Sequence, residues 1–389
     1  MPLARAFSVA LIGLDGHVVE VEADLAQGLP GLTVIGLPDA ALAEARDRIR
    51  AAVVNSGEAW PSRRITLALS PAALPKRGSG FDLALAAAVL AANGVVPAEA
   101  LLGRVLVGEL GLDGRVRPVR GVLPAVLTAV RAGVERVVVP LENLAEARLL
   151  PGVQARGVGR LRDLIALLLG ADYDETPPAV APPPTGPVTA LDMLDVAGAF
   201  DGRTAVEVAA AGGHHVLLLG PPGSGKTMLA ERMPGLLPPL RLSEALEVTA
   251  IHSVAGALPP DQPLVSRPPF QDPHHTATVA SIVGGGSGVA RPGAASLAHR
   301  GVLFLDKVTQ PSMTAHGRGP RRGACQACAC RGAGRCWPSR VRRAAGRPEY
   351  VLEPVRSFAR RDGPSPCFWS ALTMCPATAA PDSRPCLCC

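Results

Sequence analysis

An eight-residue segment, GPPGSGKT at residues 220–227, constrains this chain more than any other feature of its sequence. It follows the apolar run 216–219 and matches the phosphate-binding pattern G-x-x-x-x-G-K-[ST] at every fixed position. Glycine lets the backbone approach a phosphate chain closely, so that successive N–H groups point toward the anion. The predicted nucleotide-binding residues are Gly220, Pro221, Pro222, Gly223, Ser224, Gly225, Lys226 and Thr227.

Two side chains of this loop have defined roles in the pattern. Lys226 is expected to reach the β- and γ-phosphates, and the Thr227 hydroxyl is expected to bind Mg²⁺. Residues 228–232 predict a helix whose N-terminal dipole faces the phosphates. An ordinary Gly/Pro turn is the alternative, but the apolar run before the loop and the helix after it favour a phosphate site. ATP and Mg²⁺ are therefore the expected cofactors.

A second motif follows downstream, where P-loop enzymes hold Mg²⁺ with an acidic residue at the end of an apolar strand. Residues 302–306 read VLFLD, so Asp306 is the predicted magnesium ligand, acting together with ATP. ATPases of the AAA+ type place a water-activating glutamate next, but this chain has Lys307. A positioned acid–base group contributes roughly 10²–10⁴-fold in rate. The sequence thus predicts ATP binding without efficient hydrolysis, and it offers no confident catalytic residue.

Composition changes abruptly after this motif. All nine cysteines lie at or beyond Cys325, and residues 308–389 contain thirteen arginines, four acidic residues and no lysine or isoleucine. That segment has a net charge of +9, whereas the whole chain has +6, so residues 1–307 have a net charge of −3. The basic charge is therefore poor evidence that the earlier residues bind nucleic acid. With no Val/Ile-rich strand in this tail, the strand at 302–305 is expected to lack one neighbour.

Three interpretations of the tail, residues 307–389, remain open. Its Arg, Ala, Gly, Pro and Cys content is typical of GC-rich codons in the wrong register, which suggests that the reading frame is lost at about residue 307. A disordered tail would have a similar composition. A zinc site formed by Cys325, Cys328, Cys330 and Cys336 is the third, but no well-spaced second cysteine pair supports it.

The rest of the chain predicts an α/β protein with two folded regions. A Pro-rich stretch at 171–190 reads as a semi-rigid linker between residues 1–170 and 191–306. No run of about 20 apolar residues and no signal-peptide pattern is present, so a cytoplasmic protein without membrane contact is expected. The predicted strands of the first region are 5–13, 17–23, 31–36, 64–69, 104–110, 115–119 and 136–139, and its predicted helices are 38–55, 81–92 and 123–132.

Six segments of the chain together carry a specific family resemblance. They are GLPDAALAEARDRIRAAVVNSG (36–57), LSPAALPKRGSGFDLALAAAVL (69–90), VGELGLDGRVRPVRGVLPAV (107–126), AAAGGHHVLLLGPPGSGKTMLAERMPGLLPPL (209–240), PHHTA (273–277) and PGAASLAHRGVLFLD (292–306). This order resembles the ComM/YifB family of magnesium-chelatase-like AAA+ proteins across residues 1–306. The chain departs from the family pattern at FQDPHH (270–275), where an arginine is expected soon after the phenylalanine, and again after Asp306.

The resemblance implies that residues 1–170 adopt the ribosomal-protein-S5-like fold shared with the proteolytic domain of Lon. Lon cuts peptides with a Ser–Lys dyad, but here Gly80 takes the serine position and Leu123 takes the lysine position. Ser79 lies one residue from the first position, yet no lysine occurs between Lys76 and Lys226. Because a nucleophile needs a positioned base, proteolysis is not expected.

The resemblance also implies a partial P-loop AAA+ domain at 191–306. ComM-like proteins are hexameric ATPases that promote branch migration of recombining DNA in natural transformation, so a homo-oligomeric ring and single-stranded or branched DNA are the implied partners. A chelatase-type remodeller that drives metal insertion is an alternative, and a nucleotide-binding remnant without motor activity is another. The expectation of DNA binding depends on the resemblance alone, since only 3% of residues are aromatic.

Overall fold

The fold is given by a computed structural model that describes residues 3–36, 40–76, 78–176, 191–221, 223–259, 262–285, 291–306 and 370–373. The strands are β1 Leu3–Ile12, β2 Asp15–Ala26, β3 Gly31–Ile35, β4 Arg64–Ser70, β5 Arg104–Leu106, β6 Glu109–Leu110, β7 Val116–Arg117, β8 Arg136–Pro140, β9 Gln154–Val158, β10 Val216–Leu217, β11 Phe270–Gln271, β12 Gly284–Gly285, β13 Arg291–Pro292, β14 Val302–Leu305 and β15 Ser370–Thr373. The helices are α1 Ala40–Asn55, α2 Asp82–Ala92, α3 Val122–Arg131, α4 Leu144–Ala147, α5 Leu161–Leu169, α6 Phe200–Gly212, α7 Lys226–Leu236, α8 Leu242–Ala255, α9 Val279–Val283 and α10 Ala294–Leu297.

Two compact units make up the chain, and neither is continuous in sequence. Unit 1 comprises Met1–Pro187, Pro239–Pro269 and Thr278–Arg300, whereas unit 2 comprises Val188–Pro238, Phe270–Ala277 and Gly301–Cys389. Helices α8, α9 and α10, which the sequence groups with the P-loop region, thus belong to unit 1.

Unit 1 is built on a seven-stranded mixed sheet in the order β3-β4-β2-β1-β5-β8-β9. The predicted hairpin around Asp15 and Gly16 is confirmed, because β1 pairs antiparallel with β2 and Ile12 lies opposite Asp15. Strands β5, β8 and β9 then extend the sheet in parallel from β1. The sheet and its helices confirm the predicted α/β class.

Helices cover both faces of this sheet. Alternation along β2 places Val19, Val21 and Leu25 in a core shared with α2, and every residue of α2 from Asp82 to Ala91 is buried. A helix that is apolar around its whole circumference fits only in such an interior position. On the opposite face, α3 packs over β1, β5 and β8 in a second, Val-rich core.

The second predicted hairpin is shorter than expected. Residues 104–106 form β5 of the main sheet, and only 109–110 pair with 116–117 around the Asp113-Gly114 turn. Strand β9 and helix α5 were absent from the predicted elements. Arg156 and Gly157 interrupt the apolar pattern of β9.

Unit 2 contains a parallel four-stranded sheet in the order β10-β15-β14-β11. Val302 and Phe304 of β14 are fully buried, as expected for a central strand. The expectation that β14 lacks a neighbour is wrong, because Ser370–Thr373 pairs with both β10 and β14. That strand has a mixed composition, so no Val/Ile pattern marked it in the sequence.

Several predicted features fall outside the described residues. These are the helix start at 38–39, most of the linker, Pro222, Lys307, and the tail apart from Ser370–Thr373, including its four candidate zinc ligands. Within the part of the chain that is described, no helix is both long and apolar enough to cross a membrane.

A buried carboxylate, Glu146 of α4, joins three segments of unit 1. It accepts hydrogen bonds from the Leu123 backbone N–H at 2.8 Å, from the Ser253 hydroxyl of α8, and from the Asn143 amide at 3.3 Å. Burial raises the pKa of the Glu146 carboxyl, and these hydrogen bonds only partly oppose the increase. The charged form of Glu146 therefore reduces the stability of the folded state at neutral pH.

We expect the free energy of unfolding of the Glu146→Gln variant to increase relative to that of the parent chain as pH rises. The folded-state pKa lies above the ordinary value of 4.5, so the contribution of the protonated carboxyl is complete below that value and is lost as pH rises through the folded pKa. Glutamine stays neutral at every pH, so the variant does not lose stability through ionisation at this position. Urea denaturation between pH 4 and 8 measures the free energies of unfolding of the variant and the parent. Amide hydrogen exchange in α3 measures the same difference locally.

Glu142→Gln provides a matched control, since Glu142 is exposed on the same segment. A stability difference between Glu146→Gln and the parent that stays constant with pH would contradict the assignment.

Candidate nucleotide-binding site

The predicted phosphate-binding loop lies between β10 and α7. Gly223 and Gly225 have φ values of 80° and 82°, in the left-handed region that favours glycine. Gly225 is also the N-cap residue of α7, which begins at Lys226, so the first N–H groups of that helix open toward the loop. An anion placed in the loop would meet the first N–H groups of α7 and the positive end of the helix dipole.

The Lys226 ammonium folds back over this loop. It donates hydrogen bonds to the carbonyl oxygens of Gly220 at 2.9 Å and Pro221 at 2.7 Å, and to the Ser224 hydroxyl at 3.1 Å. Thr227 is exposed in the first turn of α7. These contacts hold a positive charge at the loop, where a triphosphate would be bound.

Strand register places Asp306 at the same edge of the sheet as the loop. Leu217 of β10 and Leu305 of β14 both lie opposite Thr373 of β15, so the two strands reach the same level. Asp306 follows Leu305 directly and is partly exposed. Ligands of parallel sheets bind outside the carboxyl ends of the strands, and the acidic residue and the loop both lie at that end.

Packing beneath the loop fixes the direction of α7. Leu229, Ala230 and Met233 of this helix share one core cluster with Val302 and Phe304 of β14. The ring of Phe304 also stacks on Phe270 of β11, with 6.2 Å between the ring centroids. Because the inner face of α7 is held against the sheet, its N-terminal end is held at the edge where Asp306 lies.

The sequence did not predict a further contact of α7. The Arg232 guanidinium donates from Nε to the Asp192 carbonyl oxygen at 2.9 Å and from a terminal nitrogen to the Met228 carbonyl oxygen at 3.0 Å. The hydrogen bond from Arg232 Nε to Asp192 connects the turn at Met193–Asp195 to α7. The two residues are forty positions apart in sequence, so no local pattern predicts their contact.

The residues near the expected protease dyad lie in unit 1. Leu123 is fully buried in α3, and the Ser79 hydroxyl donates to the Glu109 carboxylate. Lys76 is also fully buried, with its ammonium donating to the carbonyl oxygens of Gly36 at 3.0 Å, Leu69 at 3.1 Å and Pro71. All three N–H groups of that lysine are thus engaged by backbone carbonyls.

Metal binding by side chains alone is not indicated in the described residues, which contain no group of three potential His, Cys, Asp or Glu ligands. Thr227 and Asp306 fit a different arrangement, in which Mg²⁺ is held jointly by a hydroxyl, a carboxylate and phosphate oxygens. The donor set present is therefore consistent with magnesium brought in with a nucleotide.

Comparison with known proteins matches both units to one family. The family model described as "Magnesium chelatase, subunit ChlI" matches residues 192–316, and the model described as "Subunit ChlI of Mg-chelatase" matches residues 21–143. The first match continues past Asp306 and includes Lys307.

Relatives are similar along most of the chain. An uncharacterised protein of Mycobacterium tuberculosis is 60% identical over 315 residues, covering 81% of this chain and 62% of the relative. YifB of Salmonella typhimurium is 42% identical over 310 residues, covering 80% and 60%. Competence protein ComM of Haemophilus influenzae is 38% identical over 315 residues, covering 80% and 61%.

These matches define a class of magnesium-chelatase-like proteins of the AAA+ type. The chain belongs to the ComM/YifB family within that class. It spans about three fifths of the length of the relatives it matches. The Lon protease of Mycolicibacterium smegmatis is also similar, with 29% identity over 188 residues that cover 45% of this chain and 24% of the protease.

Replacing Lys226 tests the nucleotide site directly. We expect Lys226→Ala to weaken Mg-ATP binding by at least about 1.5–3 kcal/mol, the usual value of a hydrogen bond to a charged group. Isothermal titration calorimetry of the full chain measures this difference. Arg203→Ala is a suitable control, since its guanidinium bonds the Val196 carbonyl oxygen in the same unit rather than the loop. Equal affinities for Lys226→Ala and the parent would refute the site.

Proposed function

We propose that this chain is an ATP-binding protein of the ComM type, with a family role in DNA processing, and that it hydrolyses ATP poorly. The observation that carries the proposal is the common position of the loop, Lys226 and Asp306 at one edge of the parallel sheet. This arrangement has the two features that a nucleoside triphosphate requires, which are a cradle for phosphate and a partner for its magnesium.

Binding would proceed by exchange of hydrogen-bond partners at the loop. The Lys226 ammonium would leave the carbonyl oxygens of Gly220 and Pro221 and bind the β- and γ-phosphates, which are stronger acceptors because they are charged. Thr227 and Asp306 would hold the Mg²⁺ that neutralises these phosphates. The N–H groups around Gly223 and Gly225 would bind the remaining oxygens.

Poor hydrolysis is proposed from Lys307, which stands where AAA+ enzymes have a glutamate. An ammonium cannot accept a proton from the attacking water, so the general-base step has no obvious group to perform it. The family match includes this position, so Lys307 counts as a substitution within the ATPase region.

The DNA-processing role is supported by the name of one relative, the competence protein ComM. Branch migration of recombining DNA, a hexameric ring of identical subunits, and a cytoplasmic location are carried over to this chain as parts of the proposal. Residues 1–170 are proposed to form an S5/Lon-like domain that lacks protease activity. Lys76 supports the last point, because its buried ammonium is bound by carbonyl groups and is not free to act as a base.

A chelatase-type remodeller is the second candidate, since both matching family models describe a magnesium-chelatase subunit. DNA-stimulated ATP hydrolysis would favour the ComM-type role, whereas hydrolysis indifferent to DNA would favour a remodeller. A nucleotide-binding remnant, the third candidate, would bind ATP without any turnover.

The unusual tail is proposed to arise from a change of reading frame. Its arginine and cysteine content supports this origin, and the extent of the family match to residue 316 favours a change somewhat later than residue 307. The pairing of Ser370–Thr373 in the unit 2 sheet favours a tail that contributes to the fold. Sequencing the gene across codons 300–330 decides the origin: a continuous AAA+ core in another frame is the expected result, and no such alternative frame would refute it.

We expect ATP hydrolysis by the purified chain to stay near background, with or without single-stranded DNA. Lys307→Glu alone is not expected to restore turnover, because an arginine finger, typically worth roughly 10³–10⁵-fold in rate, cannot be assigned in this chain. Phosphate release measured with and without DNA tests both statements. Lys226→Ala serves as the background control, and turnover well above that control in the parent would contradict the proposed defect.

A further inference from the structure

Four arginines of unit 1 gather at the end of the sheet where the parallel strands β5, β8 and β9 begin. Arg104 and Arg136 lie directly opposite each other in neighbouring strands. Arg156 lies opposite Val138, two residues further along, so all three are on the same face of the sheet. The fourth, Arg148, follows α4 and reaches the same carboxylate as Arg156. We name these four residues the arginine cluster.

Glu175 supplies the acidic partner of the arginine cluster within the described residues. Its carboxylate lies 3.3 Å from both Arg148 and Arg156, and it accepts a hydrogen bond from the Gly157 N–H at 2.8 Å. Four positive charges thus face one negative charge. The sequence that follows, residues 177–190, has no acidic side chain that could supply a second. The cluster retains a positive excess, although residues 1–307 as a whole carry −3.

One buried donor in this region, the Arg104 Nε, has no hydrogen-bond partner among the described residues. Burial and the positive charges of Arg136 and Arg156 lower the pKa of Arg104. An unpaired buried donor reduces stability, and native structures avoid it unless a ligand or water completes the bond. The unpaired Arg104 donor and the excess charge both indicate an anionic ligand.

We propose that the arginine cluster binds the phosphodiester backbone of single-stranded nucleic acid. This inference rests on the proposed DNA-processing function and gives that function a location in unit 1. Guanidinium groups match phosphate oxygens in a planar, two-point geometry. Their spread over three strands, spaced about 4.8 Å apart, suits a chain of phosphates better than one small anion. The Arg156 guanidinium lies over the Tyr173 ring, 5.8 Å from its centre, and this contact helps to hold the guanidinium in place.

The test removes Arg136 and Arg156, the two exposed members of β8 and β9, by Arg136→Gln with Arg156→Gln. Fluorescence anisotropy measures binding of the full chain to a labelled single-stranded oligonucleotide between 50 and 200 mM salt. The slope of log K against log salt is expected to become shallower by about 1.4, since each lost phosphate contact contributes about 0.7. At 100 mM salt we expect the affinity to fall by about tenfold or more.

Arg46→Gln with Arg50→Gln is the matched control, because both residues are exposed on α1 and the net charge changes equally. The tail carries +9 in every variant, so any binding through its charge is the same in all of them. Differences between variants therefore report on the arginine cluster. Equal loss of affinity in the control and in the cluster variant would overturn the proposal.

Glu175→Gln provides a change in the opposite direction. Removing the one carboxylate raises the positive excess, and the glutamine carbonyl can still accept from Gly157, so tighter DNA binding and a steeper salt slope are expected. A purely structural role of the cluster predicts no gain. Unchanged or weaker binding by Glu175→Gln would overturn the proposal, as would binding of inorganic phosphate that DNA does not displace.

Mg-ATP binding, measured on the same variants, separates this inference from the proposed function. The cluster variant should bind Mg-ATP like the parent, because Lys226 and its loop belong to unit 2. If the parent chain does not bind ATP, but the salt slope of its DNA binding still depends on the arginine cluster, the nucleotide proposal alone is refuted. A chain that binds ATP and loses no DNA affinity in the cluster variant would refute the cluster alone.

Discussion

The left-handed backbone at Gly223 and Gly225 is the constraint on which the rest of unit 2 depends. Only glycine adopts these φ values without strain, and they turn the chain from β10 into the first turn of α7. The inner face of α7 then packs on β14, which ends at Asp306. A side chain larger than hydrogen at either glycine would strain the turn, and the helix dipole and Lys226 would lose their common direction.

Unit 1 depends on buried polar groups as much as on its apolar core. Asp82 at the start of α2 is fully buried and receives two hydrogen bonds from Arg48, at 2.8 and 3.1 Å, together with the Leu110 N–H. Burial raises the pKa of Asp82 despite this partner. Together with Glu146, Asp82 joins segments that are distant in sequence. Unsatisfied buried charges are costly, so each of these contacts specifies one arrangement of the helices around the sheet.

Local patterns in the sequence predict local features well. The β1–β2 hairpin, helix α2, the glycine turn before α7 and the buried strand before Asp306 each have a signal within ten or twenty residues. The assignment of α8 to unit 1 has no such signal, because it depends on packing and on the bond from Ser253 to Glu146. The arginine cluster was missed for a similar reason. Arg104, Arg136 and Arg156 are scattered in sequence and become neighbours only through the parallel register of three strands.

The burial of Lys76 has a consequence for the chemistry of amines in this protein. The chain has three lysines, at positions 76, 226 and 307. Because Lys76 has no exposed surface and bonds to three carbonyl groups, an amine-directed reagent or an acetyl-transferring enzyme reaches it only when unit 1 opens. Lys226 is partly exposed at the phosphate loop and reacts without such opening. Acylation of Lys226 thus reports on access to the loop, and slow acylation of Lys76 reports the opening rate of a fold that is otherwise closed.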